Sequence, residues 1–137
     1  MKEFSWSVRV YWEDTDAGGV VFYANYLKFM ERARTEWLRS LGFEQDSLIE
    51  HEGVLFAVRS VELDFNRPAR LDDALSVSAR IVRRGKASLT FYQEVRKEDQ
   101  HSTLLCRGHV KVACLDADRF RPHSIPERLS AEIPDVD

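Results

Sequence analysis

The stretch Val10-Tyr11-Trp12-Glu13-Asp14-Thr15-Asp16-Ala17-Gly18-Gly19-Val20-Val21-Phe22-Tyr23-Ala24-Asn25-Tyr26 joins two different periodicities. Before and into it, Phe4, Trp6, Val8, Val10 and Trp12 alternate with Ser5, Ser7, Arg9, Tyr11 and Glu13. That period of two predicts a half-buried strand over residues 4 to 13. After it, Tyr26, Phe29, Met30, Ala33, Trp37 and Leu41 recur at spacings of three and four, with Lys28, Glu31, Arg32, Thr35 and Arg39 on the other side. The spacing predicts an amphipathic helix over 24–41, roughly 27 Å long, which Gly42 stops. The acidic bend therefore lies beside the start of a helix, where unpaired N–H groups favour negative charge. A carboxylate and aimed N–H donors are two of the three parts an acyl-transfer site needs; the third is a pocket.

Working outward, residues 43 to 53 are polar, with a short second helix expected around Asp46 to His51. Period two then returns. Leu55, Ala57, Val61, Leu63 and Phe65 share one face of a strand over 54–66, and Arg67-Pro68-Ala69 breaks it. Leu75, Val77, Ala79 and Ile81 mark a third strand, and a hairpin turn at Arg84-Gly85 leads to a fourth with Leu89, Phe91 and Val95 inward. The last strand, from about Ser102 to Leu115, carries Leu104, Cys106, Val110, Val112 and Cys114 on one face. Residues 116–137 hold three prolines and no sustained period, and read as an irregular tail. Short connections between strands imply antiparallel pairing. One long helix cannot cover both faces of a sheet, so the economical architecture is α+β, a curved antiparallel five-stranded sheet wrapped round a central helix.

The chain has 137 residues and reads as one domain, 1–137. A net charge of -3 gives no basic footprint for nucleic acid, and no Lys/Arg run suits an anionic membrane. The start, Met1-Lys2-Glu3-Phe4-Ser5-Trp6, lacks the apolar core of a signal peptide. Nothing approaches the ~18 consecutive apolar residues of a membrane span. Cys106 and Cys114, eight apart in one strand, would lie about 26 Å from each other. That is far beyond disulfide reach, and implies reduced thiols and a cytoplasmic setting.

Asp14-x-Asp16 with a following glycine has the outline of a calcium loop. Counting Asp14 as position one, however, puts Gly18 at five and Asn25 at twelve, so the bidentate glutamate is missing. His51, His101, His109 and His123 have no metal-ligand spacing. Gly18 and Gly19 fit either a backbone that needs positive φ or a close approach by substrate. Asp16 can attack a carbonyl, activate a water, or simply satisfy turn N–H groups before the helix. Asp14 and Glu13 compete for the same role. For Asp14 a bond to the turn or to an arginine is the favoured reading, and for Asn25 a hydrogen bond at the helix start.

Glu13-Asp14-Thr15-Asp16-Ala17-Gly18-Gly19-Val20-Val21, then Tyr23-Ala24-Asn25-Tyr26, then Glu31-Arg32-Ala33-Arg34-Thr35-Glu36 resembles the 4-hydroxybenzoyl-CoA thioesterase family of hotdog-fold proteins. Within it the likeness is greatest to the Tol–Pal system-associated acyl-CoA thioesterases of Gram-negative bacteria, which Arg67-Pro68-Ala69-Arg70-Leu71-Asp72-Asp73 echoes too. The resemblance spans nearly the whole chain and implies a hotdog fold, hydrolysis of an acyl-CoA to free acid and coenzyme A, and no metal or cofactor. It also implies a homodimer or homotetramer with sites at the subunit interface. By position, Asp16 is the family's catalytic carboxylate and the Tyr23 backbone N–H its carbonyl-polarising donor. Many Tol–Pal-type members have histidine where this chain has Tyr23; a backbone N–H role survives that change. Val20, with Val21 and Phe22, would seat the acyl chain or pack the core, with Gly18 and Gly19 allowing its close approach. Arg83, Arg84 and Lys86, with Ser88 following, would suit coenzyme A phosphates, or form a solvated hairpin tip. Two rivals stand beside this reading. One is a hotdog dehydratase, which would pair a histidine with a carboxylate. The other is a non-catalytic partner of acyl carrier protein or of the Tol–Pal envelope machinery.

Overall fold

The structure is a computed structural model that describes residues 3–136. Five strands, β1 (Phe4–Arg9), β2 (Val54–Phe65), β3 (Ala74–Arg84), β4 (Ser88–Lys97) and β5 (Leu104–Asp116), form one sheet around a helix, α1 (Asn25–Ser40). All four strand pairings are antiparallel and the spatial order is β1-β3-β4-β5-β2. β2 precedes β3 in sequence yet lies at the opposite edge from β1, so the chain crosses the sheet twice, once through α1. The α1 stripe of Phe29, Met30 and Ala33 is wholly buried, as are Leu75 and Val77 of β3 and Val95 of β4. Trp37 meets Phe91 edge-on at 5.0 Å between ring centroids. This is the α+β hotdog arrangement expected, with the helix two residues shorter.

Three expectations change. The first strand ends at Arg9 rather than Glu13. Val10 stays buried, donating to Asp73 O (2.9 Å) and accepting from the Asp72 N–H (3.0 Å), and the chain then tightens into a single turn at Trp12–Asp14. The Tyr11 N–H goes to the Asp14 side chain at 2.8 Å instead of to a neighbouring strand. Alternation is thereby broken, and Trp12, expected inward, is 78 % exposed.

In β2 the register shifts between Val58 and Ser60, a bulge at Arg59. An extra residue reverses which side chains face the core. Val54, Phe56 and Val58 therefore share the face of Val61, Leu63 and Phe65, opposite Cys114, Val112, Val110 and Cys106 of β5, while Leu55 and Ala57 turn outward. Within β5, a Cβ at Gly108 would meet the Glu62 carbonyl oxygen at 2.0 Å, so β2 can close on β5 there only over a glycine.

The tail is not wholly irregular. A short helix, Glu127–Glu132, buries Leu129, with Ile133 just after it, against the end of the sheet that carries the β3–β4 hairpin. The second helical segment forms as expected, as Gln45–Ser47 followed by a wider turn over Leu48–Glu52. Among the described residues no helix is long and apolar enough to cross a membrane.

Candidate active site

The acidic bend is the tip of a small hairpin. The Asp16 N–H donates to Val20 O (2.9 Å), the Gly19 N–H to Asp16 O (3.0 Å), and Thr15 bridges Val21. Gly19 has φ +78°, the left-handed conformation that closes a three-residue hairpin loop. Positive φ thus belongs to Gly19 alone. Gly18 has a different constraint, because a Cβ there would press on Asp16 Oδ1 at 3.2 Å.

The two aspartates divide their work. Asp14 is buried: its Oδ1 accepts from Asn25 Nδ2 (2.9 Å), its Oδ2 from the Tyr11 N–H (2.8 Å), and its carbonyl from the Phe22 N–H (2.9 Å). It fastens the bend to the helix start, with both carboxylate oxygens engaged and the side chain buried. Asp16 is exposed, and its Oδ1 accepts from the Gly18 N–H at 2.8 Å. Among the described residues its other carboxylate oxygen makes no hydrogen bond. Glu13 is exposed beside them. Asn25 does bond at the helix start, to Asp14.

The helix start lacks a side-chain cap. The Asn25 N–H donates to Phe22 O (2.8 Å) and the Leu27 N–H to Ala24 O (3.1 Å). No acceptor among the described residues meets the N–H of Tyr23 or Ala24. Beneath, the Val21 N–H donates to Ala69 O (2.8 Å) and the Ala69 N–H to the Tyr26 hydroxyl (3.1 Å), so the Arg67-Pro68-Ala69 loop braces the hairpin. Burial pushes the Tyr26 phenol above its ordinary pKa, and the bond from Ala69 opposes that rise.

Of the apolar residues at the bend, Val21 packs the core, Val20 is half-buried, and Phe22 and Tyr23 are exposed. Tyr23 meets Phe65 of β2 edge-on at 6.2 Å, and Phe65 is 5.7 Å from the Tyr26 ring. The basic cluster lies elsewhere. Arg83, Arg84, Lys86 and Ser88 sit at the far end of β3 and β4, about 33 Å of strand from the β3 start that adjoins the bend. Arg84 is already engaged, donating to Ser130 O (3.0 Å), Ser130 Oγ (2.8 Å) and Ile133 O (3.1 Å). One chain therefore does not bring this cluster to Asp16. Among the described residues, no three His, Cys, Asp or Glu side chains are placed to hold a metal ion.

A feature missed in the sequence lies further along α1. A cavity of about 220 Å3 opens between α1 and the helix-facing side of β2, β4 and β5, lined among others by Arg34, Phe56, Val58, Leu89 and Phe91. The signal was present: Arg34 follows Met30 by four and precedes Trp37 by three, on the apolar stripe, and Gln93 stands between Phe91 and Val95 on an inward face.

A model of the thioesterase superfamily matches residues 18–104. The chain belongs to that superfamily. The thioesterase domain is 42% identical over 128 residues to the acyl-CoA thioesterase YbgC of Haemophilus influenzae, covering 93% of this chain and 92% of that one. It is 44% identical over 129 residues to the acyl-CoA thioester hydrolase YbgC of Escherichia coli, covering 94% of each. The crystal structure of a probable thioesterase from Bartonella henselae superposes with a TM-score of 0.85 at 34% identity, covering 91% of this chain and 100% of the other. The match begins at Gly18, two residues after Asp16, so the matched region includes the glycine half of the turn, the helix start and α1.

Proposed function

We propose that this thioesterase hydrolyses acyl-CoA thioesters with the Asp16 carboxylate and the N–H at Tyr23. The observation that carries the reading is the pairing of an outward carboxylate with helix-start N–H groups that have no acceptor, on one braced hairpin. The thioester carbonyl oxygen accepts from the Tyr23 N–H, with the Ala24 N–H beside it, where developing negative charge is favoured by the donors and the helix dipole. Two routes share this geometry. Asp16 takes a proton from water, the hydroxide adds to the carbonyl carbon, the C–S bond breaks, and the coenzyme A thiolate leaves with that proton. Alternatively Asp16 adds to the carbonyl itself, expels the thiolate, and water hydrolyses the resulting anhydride.

A second copy of the chain completes the site in this reading. β2 is an edge strand, and Val58, Val61 and Phe65 are exposed on its helix-facing side, continuous with exposed Phe22, Tyr23 and Leu27. Antiparallel pairing of β2 with its copy about a two-fold axis would cover this apolar edge. It would also set each protomer's bend beside the opposite end of its partner's sheet. That is the end carrying Arg83, Lys86 and Ser88, and it gives those groups a route to coenzyme A phosphates that one chain lacks. The YbgC relatives, named as acyl-CoA thioester hydrolases, support the substrate class.

The test is thiol release from a panel of acyl-CoAs by wild type and Asp16→Asn. Loss of a catalytic carboxylate lowers kcat by about a hundredfold or more. Equal activity of the two proteins removes Asp16 from the mechanism. Absence of hydrolysis from folded wild type with every acyl-CoA removes the reading as a whole.

A further inference from the structure

Arg34 is a guanidinium without a carboxylate. Its Nη1 donates to Gln93 Oε1 at 2.9 Å, and no ion pair to it occurs among the described residues. Gln93 is itself wholly buried, and its amide is locked because Nε2 donates to Met30 O (3.0 Å) and Ser78 O (3.1 Å). The only acceptor offered to Arg34 is thus neutral and immovable, and one bond leaves most of its five N–H donors over. The cavity beside it is walled by Phe56, Val58, Leu89 and Phe91 on the sheet side and by Glu31 and Thr35 on the helix side. Burial lowers the Arg34 pKa from its usual value, and the opposing pull of Glu31, one turn earlier on the cavity wall, is the smaller effect. A half-buried cation with which Glu31 forms no ion pair among the described residues keeps donors for a ligand that supplies a carboxylate.

The cavity lies on a path from the bend. Phe65 touches Tyr23 and Tyr26 at one end of the seam between α1 and β2. The helix-facing residues Leu63 and Val61 lead from it to Val58 and Phe56 on the cavity wall, along an exposed seam that a second copy paired on β2 would roof over. From Tyr23 to Arg34 the helix rises roughly 16 Å, and a helical arginine leans back toward the helix start, shortening the gap. A benzoyl-sized group held at the helix start falls short of that distance; an extended acyl chain of medium length reaches it.

The geometry points to Arg34 as the specificity-determining residue that receives a carboxylate at the far end of the acyl group, so that medium-chain ω-carboxyacyl thioesters are the favoured substrates. The inference rests on the thioesterase reading for where the thioester sits. A planar guanidinium accepts a carboxylate by two parallel hydrogen bonds, which an acyl chain ending in methyl cannot provide.

The experiment compares sebacoyl-CoA with decanoyl-CoA, equal in carbon count, and separately measures by calorimetry the binding of the non-hydrolysable thioethers S-(9-carboxynonyl)-CoA and S-decyl-CoA, which needs no turnover. Wild type is expected to favour the ω-carboxylate by about tenfold or more in both kcat/KM and Kd, the scale of a hydrogen bond to a charged group. Arg34→Met collapses both ratios toward one, and Arg34→Lys, which keeps the charge but not the fork, retains part of them. Ratios at or below one in wild type, or ratios unchanged in folded Arg34→Met, overturn the proposal; should the Met variant fail to fold, the wild-type and Lys ratios decide. Selective binding of the carboxylate-ended thioether without hydrolysis of either thioester would sink the thioesterase reading and leave the carboxylate site standing.

Discussion

Asn25 Nδ2 donates to Asp14 Oδ1 at 2.9 Å across a buried contact, joining the acidic bend to the first residue of α1. The same carboxylate holds the Tyr11 N–H through its other oxygen. One side chain thus fixes both the point where β1's extension turns and the point where the helix begins, and Asp16 stands between them.

Removing that carboxylate leaves two donors unsatisfied in a buried setting. Asp14→Ala is expected to lower unfolding stability by about 2–4 kcal/mol in urea titrations, because orphaned buried donors cost their desolvation. A double-mutant cycle with Asn25→Ala should return a coupling of about 1–3 kcal/mol. Additivity of the two substitutions would show that the bond carries no stability. Asp16→Asn, at an exposed position, should change stability by no more than about 0.5 kcal/mol.

The adjacent glycines should separate by mechanism. A Cβ at Gly19 meets nothing within 4 Å, so Gly19→Ala strains only the backbone at φ +78° and should cost about 1–2 kcal/mol of stability. A Cβ at Gly18 presses on Asp16 Oδ1 at 3.2 Å, where the Asp16 side chain can give way. If Asp16 is the catalytic carboxylate proposed above, Gly18→Ala should therefore leave the melting curve nearly in place while cutting kcat about tenfold or more, because displacement costs it positioning. Paired thermal melts and steady-state kinetics check both; equal stability losses with equal kinetics would refute the distinction.

The α1 and β3–β5 patterns were legible in the sequence because each presents one clean period against one core. Asp16 and the helix start were legible for the same reason, as a junction between periods. What escaped was set by single residues acting at a distance. The bulge at Arg59 reverses the faces of β2 without any glycine or proline to announce it. Trp12 keeps the strand rhythm although Asp14, two residues on, captures the Tyr11 N–H and ends the strand. The charge of the Arg83–Ser88 cluster is visible in sequence, whereas its distance from the bend within one chain, and Arg84's bonds to Ser130 and Ile133, depend on strand order. Arg34 and Gln93 escaped because polar residues at inward positions were passed over rather than paired.

The two thiols set an alkaline limit on stability. Burial pushes the Cys106 thiol up to about 12, with the Asp64 carboxylate adding to it, and burial pushes Cys114 up to about 11. Both values exceed the ordinary 9.0, so the folded chain holds these protons more tightly than the unfolded one. The resulting stabilisation is complete below pH 9 and is lost as pH rises through 11 and 12. Unfolding titrations should show stability falling across that window, and Cys106→Ala and Cys114→Ala should each flatten the fall. Native protein at pH 8 should react with a thiol reagent far more slowly than unfolded protein, since neither thiolate nor access is available. Rapid native labelling would contradict the buried placement.

The β2 edge gives the last prediction. Val61 lies near the middle of that strand, opposite Val110, and stays 38 % exposed although it is on the helix-facing side. A strand that ends a sheet normally carries charge, proline or a cover against further pairing. This one presents Val58, Val61 and Phe65. If a second copy covers them, wild type should have a solution mass of at least twice the 15.9 kDa of one chain. Val61→Lys should halve the mass of a dimer while leaving the monomer folded, because the new charge faces a position the single chain does not bury. If a partner subunit brings Arg83, Lys86 and Ser88 to Asp16 as proposed, hydrolysis should fall with the mass. Light scattering and thiol release measured on the same samples test this directly. A Val61→Lys monomer with wild-type kcat/KM would confine the whole site to one chain, and the basic hairpin would then be a solvated tip.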